Sequence, residues 1–192
     1  MADHPRPLGR PRSEDARLAV LRAVDDMLVA DGYAAMTMKG IAERAGVGRQ
    51  TVYRWWSSKA EILLEASAAD AARELTVEPG VDAETEVAAF LRALAAFLTV
   101  SDAGLAYRAL LGEAQHDQKV AELLRGTDVL GDAARAVIQR VQAEGAIPIE
   151  SDPGALAAGL VGPLVFRILT EGWRADDAEL LRMAQRFLRG LR

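Results

Sequence analysis

Between Thr37 and Trp56 the chain has little freedom in how it can fold. Thr37 is a helix-capping residue, Ile41, Ala42 and Ala45 recur behind it at helical spacing, and Gly46 interrupts them. A glycine just past the last periodic residue can adopt left-handed φ and close a helix. A second short helix, Arg49 to Trp56, follows almost at once. Two short helices about a tight glycine turn make a helix-turn-helix, whose second helix enters the DNA major groove. Ile41, Ala45, Val47, Val52 and Trp56 suit packing of both helices on a preceding one, and a larger side chain than Ala42 would hold them apart. That leaves Arg49, Gln50, Thr51, Tyr53, Arg54 and Trp55 mostly outward. Arginine reads guanine O6/N7 and glutamine reads adenine N6/N7, while Thr and Tyr hydroxyls are frequent phosphate ligands. Lys59 opens the next helix, whose N-terminal amides also attract phosphate.

The rest of the chain reads as helix. No sustained alternation of β-branched and polar residues occurs, aromatics are only 5%, and Ala, Leu, Glu and Arg dominate. An all-α fold follows. Ser13 is the expected cap of a first helix to about Ala30, with Leu18, Leu21, Val24 and Leu28 as its stripe and Asp31-Gly32 as its stop. Ser58 and Glu61 form a capping box for a fourth helix, 58–75. Thr76 to Val81, with Pro79-Gly80, reads as a linker. Beyond it, Asp82, Ser101, Asp117, Asp128, Asp152 and Asp176 each open a further helix, and Pro153 stands where a first helical turn tolerates proline. The expected organisation is a flexible basic arm at 1–12, a DNA-binding domain at 13–66 and an effector-binding and dimerisation domain at 82–192.

The segment Ile41-Ala42-x-x-Ala45-Gly46-Val47-x-x-x-Thr51-Val52-Tyr53-x-x-Trp56-x-x-Lys59-x-x-Ile62, preceded by Gly32-Tyr33-x-x-x-Thr37, resembles the signature of the TetR (tetracycline-repressor-like) family. The likeness spans roughly Ser13 to Ala66. More softly, Tyr107 to Asp117 and Gly162 to Leu169 resemble a recurrent TetR C-terminal domain. The resemblance implies a three-helix DNA-binding domain, a linking fourth helix and a larger helical domain for dimerisation and a small-molecule effector. Carried over by motif, Thr37, Thr51, Tyr53 and Lys59 contact phosphates, and Arg49 and Gln50 face bases. Lys39 and Arg54 complete the basic surface. Trp55 stands where the family often has a polar or basic residue, so it either lends its indole N–H to a phosphate or packs.

Charge and composition agree with that reading. The net charge of −5 divides into +1 through Ala66 and −6 beyond, so nucleic-acid contact belongs to the N-terminal third. The stretch from Pro5 to Arg12 can act as a minor-groove arm through Arg10 and Arg12, or simply as a solvated tail. Cysteine is absent, which removes disulfides, thiolate catalysis and Cys-ligated metals. Only His4 and His116 are histidines, and Glu113 with His116 is better read as a surface pair than as a metal or catalytic site. No secretory signal is legible, and the apolar run from Gly154 to Phe166 is shorter than the ~18 residues of a membrane span. A soluble, cytoplasmic protein with no cofactor, metal or catalytic residue is the expectation. The rival readings are a helical-bundle enzyme, for which no constellation of acid, base or metal ligands is found, and a helical adaptor whose outward arginines bind protein rather than DNA.

In the C-terminal part, Phe97, Tyr107, Leu111, Phe166 and Trp173 are candidates to line an effector pocket, although aromatics at helical spacing more often form plain core. The helix after Pro153 is apolar around much of its girth. One stripe is Leu156, Leu160, Leu164 and Ile168; the other is Gly159, Gly162, Phe166 and Leu169. The last helix adds Leu180, Leu181, Met183, Ala184, Phe187 and Leu188. A helix that broad in its apolar surface needs cover on more than one side. The expected dimer interface is therefore Leu156, Gly159, Leu160, Gly162, Phe166, Leu180, Met183, Ala184 and Phe187. A homodimer about a two-fold axis implies a pseudo-palindromic double-stranded operator.

Overall fold

The computed structural model describes residues 10–191, and side chains from 14 to 191. All regular structure among these residues is helical, and the chain divides into two compact units, 1–66 and 67–192.

The first unit holds α1 (Arg10–Ala35), α2 (Met38–Arg44), α3 (Arg49–Trp55) and the start of α4 (Lys59–Glu74). Helix α1 starts at Arg10, so Ser13 lies inside it and is not its cap. Gly32, at φ 73° and ψ 163°, breaks the helix where Asp31-Gly32 was expected to stop it, and one further turn follows. The buried stripe is Val20, Ala23, Val24 and Met27, while Leu18 is 41% exposed. Both stripes contain Val24 and have helical spacing, so periodicity alone left the phase open. The α2 and α3 surfaces packed on α1 select it. Thr37 caps α2 by accepting the Gly40 N–H at 3.0 Å. At α4 the capping box is shifted by one residue. Ser58 Oγ accepts the Glu61 N–H at 3.2 Å, but the Glu61 carboxylate accepts from the Ser57 amide and hydroxyl.

The second unit is built round α5 (Ala83–Thr99), whose Val87, Phe90, Leu91, Leu94, Phe97 and Leu98 are buried. Packed against α5 are α6 (Asp102–Glu113), α8 (Val129–Ala143), α9 (Pro153–Glu171) and α10 (Asp177–Arg189), and α7 (Gln118–Gly126) lies on α6. Asp82, Asp117, Asp128, Asp152 and Asp176 all cap as expected, each accepting amides of the following turn. Ser101 makes no side-chain cap bond.

Two anchors here were not read from the sequence. A Cβ at Gly104 would stand 1.7 Å from the Phe97 carbonyl oxygen, so only glycine lets α6 cross α5 this closely. Glu86, fully buried on α5, accepts from Arg140 Nε at 2.7 Å and from the Gly80 N–H at 3.2 Å. The pair fastens the 76–82 linker to α5 and α8, since Arg140 also reaches the Val77 carbonyl.

Helix α9 runs through Pro163 to Glu171, where Gly172 ends it at φ 60°. Contrary to the expectation from its uninterrupted apolar run, α9 is long and apolar enough by composition to cross a membrane. One face, Ala157, Leu160, Leu164 and Ile168, instead lies in the core of its own unit.

Candidate nucleic-acid interface

The helix-turn-helix is assembled from very few interactions. Ile41 and Ala42 of α2 and Val52 of α3 are completely or almost completely buried, and Gly46 (φ 66°) turns the chain between them. The Val47 N–H closes the end of α2 on the Ala42 carbonyl at 3.0 Å. Trp56, at the end of α3, is also buried, and its indole N–H donates to Glu65 Oε2 at 2.8 Å. Glu65 forms an ion pair with Arg17 of α1. The end of α3 is thus held by α4 and α1 together, through one tryptophan and one carboxylate.

With Val52 and Trp56 turned inward, α3 presents Arg49, Gln50, Tyr53, Arg54 and Trp55 to solvent, with Thr51 half-buried. Tyr53 is 56% exposed and Trp55 43%, a large area of aromatic surface for a seven-residue helix. The Arg54 guanidinium lies 5.9 Å from the Trp55 ring centroid. Thr37 and Lys39 are exposed on the adjoining helix start, Thr37 with its oxygen engaged as the cap and Lys39 paired loosely with Glu43 at 3.7 Å.

Lys59 is placed differently from the other cations. Its ammonium donates to the Tyr33 carbonyl at 2.8 Å and to the Met36 carbonyl at 3.1 Å, and it sits 4.1 Å from the Tyr33 ring centroid. It therefore bonds carbonyls at the end of α1, of which the Tyr33 oxygen also accepts the Met36 N–H at 3.2 Å. This is a structural role that the sequence reading did not give it, beside the expected contact with phosphate. Arg10 and Arg12 fall within the backbone of α1 rather than an extended arm, and their side chains lie outside the described residues, as do residues 1–9.

The second unit contains a cavity of about 530 Å³ bounded by α6, the start of α8 and α9. It brings together Tyr107, Leu111 and Phe166 from the expected pocket set, but not Phe97 or Trp173. Phe97 is 1% exposed in the core, with its backbone against Gly104. Trp173 follows the α9 stop and stacks on the Arg167 guanidinium at 3.7 Å, drawn there by the cation. Among the described residues no group of three or more His, Asp or Glu side chains is placed to hold a metal.

Residues 20–66 match the family model for bacterial regulatory proteins of the tetR family, and residues 77–187 match the tetracyclin repressor-like C-terminal domain. This chain belongs to the TetR family of transcriptional regulators. It is 30% identical over 192 residues to the uncharacterized HTH-type transcriptional regulator YdeS of Bacillus subtilis (strain 168), covering 95% of this chain and 93% of the relative. Among solved structures it resembles the TetR family transcription regulator SCO0332, with TM-score 0.78 and 27% identity over 93% of this chain and 99% of that one. It shares the fold of Salmonella enterica GusR, with TM-score 0.66 and 21% identity over 96% of this chain and 100% of that one. The chain is thus a helix-turn-helix transcriptional regulator with an all-helical TetR C-terminal domain.

The set expected at the dimer interface divides by burial. Leu160, Leu180 and Ala184 are buried within their own TetR C-terminal unit and have no surface left for a partner. They occupy the inward arcs of α9 and α10, a distinction helical spacing does not make. Leu156, Met183 and Phe187 are half-buried, whereas Gly159, Gly162 and Phe166 are exposed. Phe166 is 63% exposed and Leu169 44%. A Cβ at Gly159 or Gly162 would meet nothing within 4 Å, so neither glycine serves close packing inside the chain.

Proposed function

We propose that this TetR-family regulator is a cytoplasmic homodimeric repressor that holds a pseudo-palindromic operator through α3 and releases it when a small molecule occupies its C-terminal unit. The observation that carries the DNA reading is the division of α3. Its inward side is spent on Val52, and Arg49, Gln50, Tyr53, Arg54 and Trp55 are left in solvent beside exposed Thr37 and Lys39. Arg49 and Gln50, in the first turn of α3, are the residues to read base edges; Thr37, Lys39, Thr51, Tyr53 and Arg54 are the residues to set the register on phosphates. No catalytic role is assigned to any residue.

The dimer reading rests on α9 and α10. Helix α9 is 19 residues long with mean hydropathy 1.5, yet only 28% of its most apolar window is buried. Exposed Gly159, Gly162, Phe166 and Leu169 share its outer side, and half-buried Met183 and Phe187 of α10 border a hollow with Gly159. A contiguous apolar surface of this kind on a soluble domain marks an interaction face.

Binding to a selected operator, followed by fluorescence anisotropy, tests the assignment. Arg49→Ala is expected to cost about 1–3 kcal/mol and to relax preference at one base position in each half-site. An unchanged operator footprint and affinity for both Arg49→Ala and Gln50→Ala would move base readout away from α3.

A further inference from the structure

The cavity between α6, α8 and α9 has one polar group with nothing to do. Its wall is built from Leu111, Leu130, Val161 and Val165, with room made by small residues such as Gly154, Ala157 and Ala158, and Phe166 and Leu169, exposed on the outer side of α9, stand at its open edge. Three polar residues also border it: Tyr107, Asp128 and Arg135. Asp128 is fully used. One of its oxygens accepts the Gly131 N–H at 3.1 Å as the α8 cap, and the other accepts Arg135 Nη1 at 3.0 Å. Arg135 is used as well, since its second Nη pairs with Asp132. These charged groups are partly in solvent, with the Asp128 side chain 51% exposed and that of Arg135 32%. They stand at the rim and answer one another.

Tyr107 is different. It is only 5% exposed, it lines the cavity, and its hydroxyl has no hydrogen-bond partner among the described residues. The ring is buried while the hydroxyl stands at the cavity surface, so it is free to donate to an acceptor bound there. Burial and the nearby Asp128 charge also push the Tyr107 phenol up to about 12, so at neutral pH it is a proton donor.

We propose that this cavity takes an uncharged, largely hydrocarbon effector bearing one hydrogen-bond acceptor, such as a carbonyl or hydroxyl oxygen, which receives the Tyr107 O–H. The assignment rests on the effector reading above and adds the chemistry of the ligand. The wall supplies apolar contact for the hydrocarbon part. A carboxylate would enter against Asp128, whose charge already opposes negative charge at Tyr107. An ammonium would have to lose its hydration beside a hydroxyl donor, with both oxygens of Asp128 already engaged.

Three probes of equal chain length distinguish these chemistries: decan-2-one, decanoate and decylammonium. Each is titrated into the full chain by calorimetry and by thermal shift, with operator binding measured in parallel. Decan-2-one is expected to bind tightest and to raise Tm. Tyr107→Phe, which keeps the ring, is expected to weaken decan-2-one binding about 10-fold while leaving the smaller affinity for decane unchanged. Val161→Phe fills the space and is expected to reduce binding of every probe. Tighter binding of decanoate or decylammonium overturns the proposal, as does unaltered decan-2-one affinity in Tyr107→Phe or the absence of binding by all three. If decan-2-one binds through Tyr107 yet leaves operator affinity unchanged, the ligand assignment stands and the effector reading fails instead.

Discussion

Lys59 shows how a residue can carry a family motif and still answer first to its own surroundings. Two of its three N–H donors are spent on the Tyr33 and Met36 carbonyls, and the ammonium lies on the Tyr33 ring. The Tyr33 carbonyl also accepts the Met36 N–H at 3.2 Å, so removing the charge takes one of its two donors and takes the Lys59 bond from the Met36 carbonyl. Lys59→Met is expected to destabilise the N-terminal unit by about 1–3 kcal/mol in urea unfolding. If the role of Lys59 is structural alone, operator affinity should then fall alike for all sequences while the salt slope stays near that of the parent. Unchanged stability with a flatter slope would instead make Lys59 a direct phosphate contact. Tyr107 gives a second residue-scale prediction. Its phenol is raised from 10.0 to about 12, first by burial and then by the Asp128 charge. Because the folded-state value is the higher one, the stabilisation is complete below pH 10.0 and is lost as pH climbs through about 12. Absorbance titration at the phenolate band should show one of the three tyrosines ionising only near pH 12, and that step should vanish in Tyr107→Phe.

At the scale of elements, the sequence is most readable where a single side chain decides a boundary. Asp82, Asp128, Asp152 and Asp176 cap helices where they were expected to, because a carboxylate two or three residues ahead of free amides needs no tertiary partner. The α2–α3 turn is readable for the same reason, with Gly46 at φ 66°. Phase and crossing are less legible. The α1 stripe and the inward arc of α10 depend on which neighbour packs there, and the Glu86–Arg140 pair joins residues 54 apart in sequence. The close approach of α5 and α6 at Gly104 was equally hidden, since the sequence around it reads as ordinary amphipathic helix. Two glycines of α6 therefore predict opposite outcomes. Gly104→Ala would drive a methyl group into the Phe97 carbonyl and is expected to cost about 3 kcal/mol or more. Gly112→Ala, with nothing within 4 Å of the new Cβ, is expected to gain about 0.4–1 kcal/mol by restricting the unfolded chain. Thermal denaturation of the two variants gives the comparison directly, and a tolerated Gly104→Ala would mean that α6 can shift along α5.

At the scale of the whole molecule, the question is what covers the outer side of α9. The sequence supplied two apolar stripes, and the structure accounts for one of them: Leu160, Leu164 and Ile168 are buried, while Gly159, Gly162, Phe166 and Leu169 face solvent. Exposed glycines on a helix allow a second helix to come close, and a flanking phenyl ring supplies apolar area. A second copy of the same face satisfies both features at once in an isologous contact. The proposed dimer is also what makes one α3 helix useful, because a half-site held by a seven-residue helix gives limited specificity until it is paired at one DNA turn's spacing. Phe166 is a better probe of this contact than half-buried Phe187, because its ring contributes little to the monomer's own core. Phe166→Glu is expected to keep the helical circular dichroism of the parent and to sediment as a monomer at micromolar concentration. Its affinity for a full operator should fall by far more than its affinity for an isolated half-site. If Phe166→Glu remains a dimer with operator affinity intact, this face of α9 is not where the two copies meet. A parent chain that is itself monomeric at that concentration would remove the two-fold operator with it.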